Sequence, residues 1–354
     1  MKKIIVNLGQ RSYPIFIGVR LEFLGVYLKK FKFTPKVLVV TNLRVKKLYF
    51  VRLKQGLVKA GFKVNLVLMP DGEKYKNFDS LRKIYEQAIK AGLDRRSPII
   101  ALGGGVTGDT AGLAAATYLR GLPFIQVPTT LLAMVDSSIG GKTGIDLPEG
   151  KNIIGSFYQP RLVWIDLSVL KTLPLRQIRN GLAEVIKYGV IKDQKLFSYL
   201  EKLKINKISA REYEKIVVAS ARNKAQITRQ DEKEEKGQRE ILNFGHTFGH
   251  ALETLTKYQR YYHGEAVAVG MVFAARLAAA FGLFNDVLRL EKLIQAFGLP
   301  FVPKEKFSPD QLIAAMNKDK KVLAGKIRFV LPKKIGQAQV YSNIPKTVLK
   351  KALK

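Results

Sequence analysis

The first half of the chain alternates short apolar runs with amphipathic segments, and that alternation leaves few architectures open. Lys36–Thr41, Val64–Met69, Pro98–Leu102, Phe124–Val127 and Leu162–Ile165 read as strands. Helical periods follow two of them, one through about Lys59 and one from about Phe78 to Ala91. Strands apolar along their whole length and spaced by helices imply βαβ units and a mostly parallel sheet. From about Gln177 long helical periods take over and run to about Asn317, with one charge-rich interruption at Arg229–Arg239. Thr172-Leu173-Pro174 marks the change, because proline disfavours helix at the residue before it. The predicted architecture is an α/β, Rossmann-like N-terminal domain over residues 1–173 and an all-α, or mainly helical, C-terminal domain over 174–354. A late strand-like pair, Lys326–Leu331 and Gln337–Tyr341, flanks a Pro-Lys-Lys-Ile-Gly turn.

Composition narrows the chemistry. The chain has no cysteine, so any metal site must be built from nitrogen and oxygen. The same absence fits a reducing, cytoplasmic compartment. The apolar run at Met1–Asn7 is too short for a signal peptide. Ala266–Phe284, the longest apolar stretch, carries Arg276 and two glycines and reads as a buried helix, not a membrane span. A net charge of +33 raises the question of nucleic acid. The lysines are spread along the whole chain, however, with no basic tail or block. The expectation is therefore a lysine-rich surface with a few cations reserved for small anions, and no specific nucleic-acid partner.

Gly103-Gly104-Gly105-Val106-Thr107-Gly108 satisfies G-x-G-x-x-G where a strand gives way to a helix. Glycines there let the backbone approach a pyrophosphate, which a helix N-terminus attracts. The usual ribose-binding acid some twenty positions on is missing, since no Asp or Glu occurs between Asp109 and Asp136. Asp71-Gly72-Glu73-Lys74-Tyr75-Lys76 could supply ribose contacts instead.

All three histidines of the chain fall within eighteen positions, His246, His250 and His263. Imidazole is a common zinc ligand and titrates near neutral pH, so this clustering points to a site. Spacing alone pairs His246 with His250, four apart on one helix face.

Several motifs together give the chain a family resemblance that runs almost end to end. They are Pro70–Lys76, Gly103–Asp109, Pro128-Thr129-Thr130-Leu131-Leu132, Val135–Thr143, Gly150-Lys151-Asn152, Gly181–Gly189, the histidine stretches Leu242–His250 and His263-Gly264-Glu265, and Asp319-Lys320-Lys321. In their order and joint presence they resemble the 3-dehydroquinate synthases of the sugar phosphate cyclase superfamily.

The resemblance implies zinc, with cobalt able to replace it, on Glu184, His246 and His263, which displaces the His246–His250 pairing. Two imidazoles and one carboxylate leave coordination positions for substrate hydroxyls. It implies NAD on Asp71, Gly72, Glu73, Lys74, Tyr75, Lys76, Gly105, Val106, Thr107, Gly108, Asp109, Thr129, Thr130, Asp136, Lys142, Lys151, Val169, Leu170, Lys171 and Thr172. It implies 3-deoxy-D-arabino-heptulosonate 7-phosphate as substrate, held by Lys142, Asn152, Lys187, Lys224, Arg239, Asn243 and Lys320, with His250 as a catalytic or phosphate-contacting residue. Arg120 resembles an arginine that reaches the phosphate from the neighbouring subunit of a homodimer. The implied reaction makes a ketone transiently with NAD, eliminates phosphate, reduces the ketone again and closes a carbocycle by intramolecular aldol addition. One departure stands out: the run from Asp231 to Asn243 is one residue longer than the commonest family pattern, while Arg239 and Asn243 keep their distances to His246.

Overall fold

The computed structural model describes residues 1–317, 327–342 and 344–353. Lys320, together with the rest of Asp319-Lys320-Lys321, lies outside them. The chain forms two compact units, Met1–Leu173 with Ala210–Lys233, and Pro174–Ser209 with Glu234–Lys354. Residues 210–233, read from the sequence as part of the C-terminal domain, thus belong with the first unit. Their helix, Ala210–Gln230, packs against strand Lys2–Val6. A helical period carries no mark of which sheet it covers.

The first unit holds a seven-stranded sheet built from β1 (Lys2–Val6), β2 (Tyr13–Ile17), β3 (Lys36–Asn42), β4 (Lys63–Met69), β5 (Ile99–Gly103), β6 (Phe124–Pro128) and β9 (Leu162–Ile165). Its order is β1-β2-β9-β6-β5-β3-β4, with β1–β2 antiparallel and the other pairings parallel. Every residue of β5 and β9 is buried, as a parallel sheet covered on both faces requires. Helices α1 (Val51–Lys59), α2 (Phe78–Lys90) and α3 (Gly105–Thr117) belong to this unit. The chain runs from β3 to β4 in one direction and through β5, β6 and β9 in the other. The carboxyl ends of β3 and β5 therefore border a topological switch point, where doubly wound sheets bind ligands. Residues 142–157 form a separate antiparallel hairpin of β7 (Lys142–Leu147) and β8 (Gly150–Phe157). This hairpin and β1–β2 are strands that the apolar-run reading did not mark.

In the second unit, α4 (Leu175–Ile191) and α5 (Gln194–Leu200) precede α6 (Ala210–Gln230) of the first, and α7 (His246–Leu255), α8 (His263–Ala280), α9 (Val287–Ala296) and α10 (Pro309–Asn317) follow. A short hairpin of β10 (Phe329–Lys334) and β11 (Gln337–Tyr341) completes it. Helix α4 is buried from Asn180 to Ile191, and α8 is buried along most of its length. Helices apolar on all sides form the centre of a helical layer. Among the described residues α8 is the one helix long and apolar enough to cross a membrane, and its burial suits a core helix equally well.

Close packing of α7 on α8 depends on glycine. A Cβ at Gly270 would strike the Gly245 carbonyl oxygen, and one at Gly249 would sit 3.0 Å from the Ala266 carbonyl oxygen. Gly245 itself has φ +80°, a conformation that disfavours side chains, immediately before His246. In an open helix interior Gly→Ala stabilises by about 1 kcal/mol. Here Gly270→Ala is expected to destabilise by about 1–3 kcal/mol through overpacking. Denaturant unfolding of the two proteins checks the sign, and a variant as stable as the parent would contradict this packing.

Candidate active site

Three elements of the second unit bring the metal-type ligands together. Glu184 lies in the middle of α4, while His246 and His263 each open a helix, α7 and α8. Glu184 Oε1 is 3.7 Å from His246 Nε2 and 3.7 Å from His263 Nε2. The Glu184 side chain is 1% exposed, and Oε1 has no hydrogen-bond partner among the described residues. Its Oε2 pairs with the Lys187 ammonium one turn along the same helix. A buried carboxylate oxygen aimed at two imidazole nitrogens, too far from either for a hydrogen bond, suits a cation that binds each at about 2.0–2.2 Å.

Each imidazole is turned by its other nitrogen. His246 Nδ1 is 3.1 Å from the Phe244 carbonyl oxygen, and His263 Nδ1 is 3.6 Å from Glu253 Oε2. Both rings therefore direct Nε2 toward Glu184. The His246 and His250 rings meet edge to face with centroids 5.5 Å apart, so the pair suggested by spacing does lie together. Glu184 nonetheless faces His246 and His263.

The start of α8 is tied to α4, which fixes His263 relative to Glu184. Gly264 N–H donates to Asn180 Oδ1 at 2.6 Å, one turn before Glu184, and a Cβ at Gly264 would collide with the Asn180 carbonyl. Arg176, also on α4, donates to both Glu265 oxygens at 2.7 and 2.8 Å. Burial works to raise the Glu265 carboxyl, but the guanidinium and the Tyr262 N–H hold it below its usual range. Tyr261, two residues before His263, donates to Glu305 and accepts from Lys304 N–H, and burial with the Glu305 contact pushes its phenol up to about 12. Arg239 is fully buried on a short 3-10 turn, Gln238–Asn243, with Nε 3.4 Å from Glu234 Oε1. Positive φ at Glu234 (+63°) and Gly237 (+70°) shows where the loop turns before Arg239. Asn243 and His250 are half-buried in the same unit.

In the first unit the predicted nucleotide residues gather at the carboxyl ends of β4, β5 and β6. Gly104 precedes α3 with no side-chain cap, and the helix has no acid in its first turn, which leaves its amide groups open to an anion. A Cβ at Gly104 would press on Thr130, and one at Gly105 would lie 3.2 Å from Ser137 Oγ. The turn therefore presents backbone rather than side chain at the start of α3. Thr129 Oγ1 is buried without a hydrogen-bond partner among the described residues, a polar atom that a bound group would satisfy. Gly72 has φ +116°, and Asp71 accepts from Asn42 Nδ2 at 3.2 Å.

Lys76 is buried between Asp109, 2.6 Å from its Nζ, and Asn152. Burial alone would lower its pKa, but Asp109, Glu73 and Asp146 outweigh this and hold the ammonium charged. Lys151 lies 3.7 Å from Glu73, and Asn152, at φ +52°, donates its N–H to Asp146. Lys224 on α6 pairs with Asp136 at 2.6 Å. Lys74 lies over the Tyr75 ring, and Lys142 is exposed at the start of β7. Val106 is half-buried, whereas Thr107 and Gly108 pack into the sheet. Val169 and Leu170 are core residues, and the Val169 carbonyl accepts from Tyr49 Oη. Lys171 and Thr172 are exposed. Arg120 is exposed on a turn where Leu119, Arg120 and Gly121 all have positive φ, at 49°, 64° and 126°. Sequence reasoning set Asn42 aside, because polar residues after strands are common, and did not reach Asp146, Asn180 or Glu253. Of those three only Glu253 left a signal, three residues after His250 and seven after His246 on one helix face.

Comparison with known proteins gives this arrangement a family. Two family models match in succession, 3-dehydroquinate synthase N-terminal over residues 66–180 and 3-dehydroquinate synthase C-terminal over 181–322. The 3-dehydroquinate synthase of Crocosphaera subtropica is 48% identical over 355 residues, covering 98% of this chain and 97% of that one. That of Pelobacter propionicus is 50% identical and covers 96% of each. Among solved structures, 2-deoxy-scyllo-inosose synthase with carbaglucose-6-phosphate, NAD+ and Co2+ superposes with a TM-score of 0.90 at 28% identity, covering 99% of both chains. The 2-epi-5-epi-valiolone synthase of Streptomyces hygroscopicus with NAD+ and Zn2+ also scores 0.90 at 28%, covering 98% of this chain and 97% of its own. A probable glycerol dehydrogenase from Sinorhizobium meliloti, at 14% identity and a TM-score of 0.67, shares the fold. The chain belongs to the 3-dehydroquinate synthase family.

Proposed function

We propose that this protein is a phosphorus–oxygen lyase that converts 3-deoxy-D-arabino-heptulosonate 7-phosphate to 3-dehydroquinate and inorganic phosphate, a step of the shikimate pathway toward aromatic amino acids. The observation that carries the reading is near-full-length identity of about half with 3-dehydroquinate synthases, against 28% with the cyclases named for other products. The sites fit the cofactors. Glu184, His246 and His263 hold zinc or cobalt, and Asp71–Lys76, the glycine turn with Asp109, Thr129, Thr130 and Lys151 hold NAD. When bound, the two supply a Lewis acid and a reversible hydride acceptor, so the turnover is redox-neutral.

The chain's own residues bind, orient and move protons. Arg239 presents a preorganised guanidinium to the substrate carboxylate, with Asn243 beside it on the same turn. Lys142, Asn152, Lys187 and Lys224 supply fixed donors to the hydroxyls and phosphate, and Lys320 belongs to the same set by sequence. In the structure Asn152 holds Lys76, Lys187 faces Glu184 and Lys224 holds Asp136. Fixed in this way, they require little reorganisation when substrate arrives. His250, next to both ligand histidines, is placed to pass a proton. The protein acts in the cytoplasm as a homodimer, with Arg120 reaching the phosphate of its partner's site.

The test is phosphate release from the keto-acid phosphate with catalytic NAD, before and after chelation and metal return. Release that needs both and leaves no net NADH is expected. Net NADH from a simple polyol, with no phosphate release, would instead favour a glycerol-type dehydrogenase. His263→Ala should lose bound metal and reduce turnover by more than the roughly 10–100-fold typical of a ligand's supporting partner. A variant with full metal content and full activity would overturn the ligand assignment.

The role of Arg120 is tested by subunit mixing. Arg120→Ala and His263→Ala proteins, each nearly inactive, should recover roughly a quarter of intact sites after random exchange, because half the dimers are mixed and each carries one complete site. Mixtures no more active than their components would contradict a contribution from the partner.

A further inference from the structure

We infer that Glu253 is a positioning residue of the metal site, one that fixes the His263 ring with its proton on Nδ1 and its lone pair on Nε2. The inference rests on the proposed Glu184–His246–His263 site and adds to it the group that sets how His263 binds. Glu253 lies on α7, its side chain 3% exposed, with Oε2 3.6 Å from His263 Nδ1. Neither carboxylate is within hydrogen-bond range of the ring, but Glu184 already pairs with the Lys187 ammonium, so the single N–H of a neutral imidazole is drawn toward Glu253. Nε2 is then the free donor, and it is the nitrogen that faces Glu184 Oε1 at 3.7 Å. His246 reaches the same state by a different means, since its Nδ1 lies 3.1 Å from the Phe244 carbonyl oxygen. One imidazole is set by backbone and the other by a buried charge.

The difference has a physical cause. His246 follows Gly245, whose positive φ turns the Phe244 carbonyl back toward the ring. His263 follows Tyr262, whose backbone is extended, and its side chain is more exposed than that of His246, 32% against 12%. It therefore depends on a side chain from α7. The carboxylate also makes the ring a better donor, and a supporting partner of this kind is worth roughly 10–100-fold in metal affinity.

His250, Glu253 and His263 also lie close enough to ligate a cation themselves, with candidate ligand atoms all within 4.8 Å. A second metal there would have to take His263 through Nδ1 while Nε2 served the first. That requires the ring to give up its last proton and the two cations to share it. The supporting role needs neither, so the structure favours one metal per chain.

Three histidines in the whole chain make the imidazole nitrogen spectrum readable. In metal-free protein at about pH 8, where ordinary imidazole is neutral, long-range ¹H–¹⁵N correlation should show His263 protonated on Nδ1. Assignment follows from loss of the signal in His263→Ala. In Glu253→Ala that preference should disappear, and zinc affinity measured by chelator competition should fall about 10–100-fold. Glu253→Gln, which keeps a carbonyl acceptor without the charge, should fall less, and circular dichroism should show both variants folded. A His263 protonated on Nε2, two zinc ions per chain, or Glu253→Ala and Glu253→Gln both binding zinc as tightly as the parent would each overturn the inference. Wild-type protein that binds no zinc would count against the metal site itself, and the metal-free spectrum would still decide the tautomer.

Discussion

A carboxylate buried in the middle of a core helix is the constraint on which the second unit turns. Glu184 is almost wholly removed from solvent, and an isolated charge there would be prohibitive. The Lys187 ammonium answers one oxygen, and the other is left to two imidazoles that stand beyond hydrogen-bond range. Such a site is poorly satisfied by protein alone. It is the arrangement expected where a cation contributes part of the balance.

Holding those imidazoles against Glu184 requires α4, α7 and α8 to approach more closely than ordinary side chains permit. Gly245, Gly249 and Gly270 let α7 and α8 come together, and Gly264 lets the start of α8 meet Asn180 on α4. The Arg176–Glu265 pair then fixes the first turn of α8 around His263. These contacts explain why a site with two ligands at helix starts keeps a defined geometry. His263 is anchored by the Gly264 bond to Asn180 one residue on, the His246 ring by the Phe244 carbonyl, and Glu184 by Lys187 one turn along α4.

Much of this was legible in the chain before folding, though unevenly. The apolar runs that became β3, β5, β6 and β9 announced themselves because both of their faces are covered. Strand β4, a partly exposed edge strand, did so because its run stays mostly apolar all the same. The β7–β8 hairpin did not, since β8 is exposed along most of its length and has no continuous apolar run to detect. Helix α6 was legible as a helix but not as a part of the first unit. The clustering of three histidines marked the site, yet spacing paired His246 with His250, because a helix period sees only neighbours on its own helix. That Glu184 faces His263 follows from packing between helices, which no local pattern records. Motif resemblance supplied that link, and the distances are consistent with it. Lys76, Asp109 and Asn152 are a similar case: far apart in sequence, one buried cluster in space.

The central claim is that a single divalent cation sits among Glu184, His246 and His263. Anomalous diffraction at the zinc edge from crystals grown with zinc tests it most directly. One peak per chain is predicted, about 2.0–2.2 Å from Glu184 Oε1 and from the Nε2 atoms of both histidines. A peak among His250, Glu253 and His263 instead, or none near Glu184 in zinc-loaded crystals, would contradict the account.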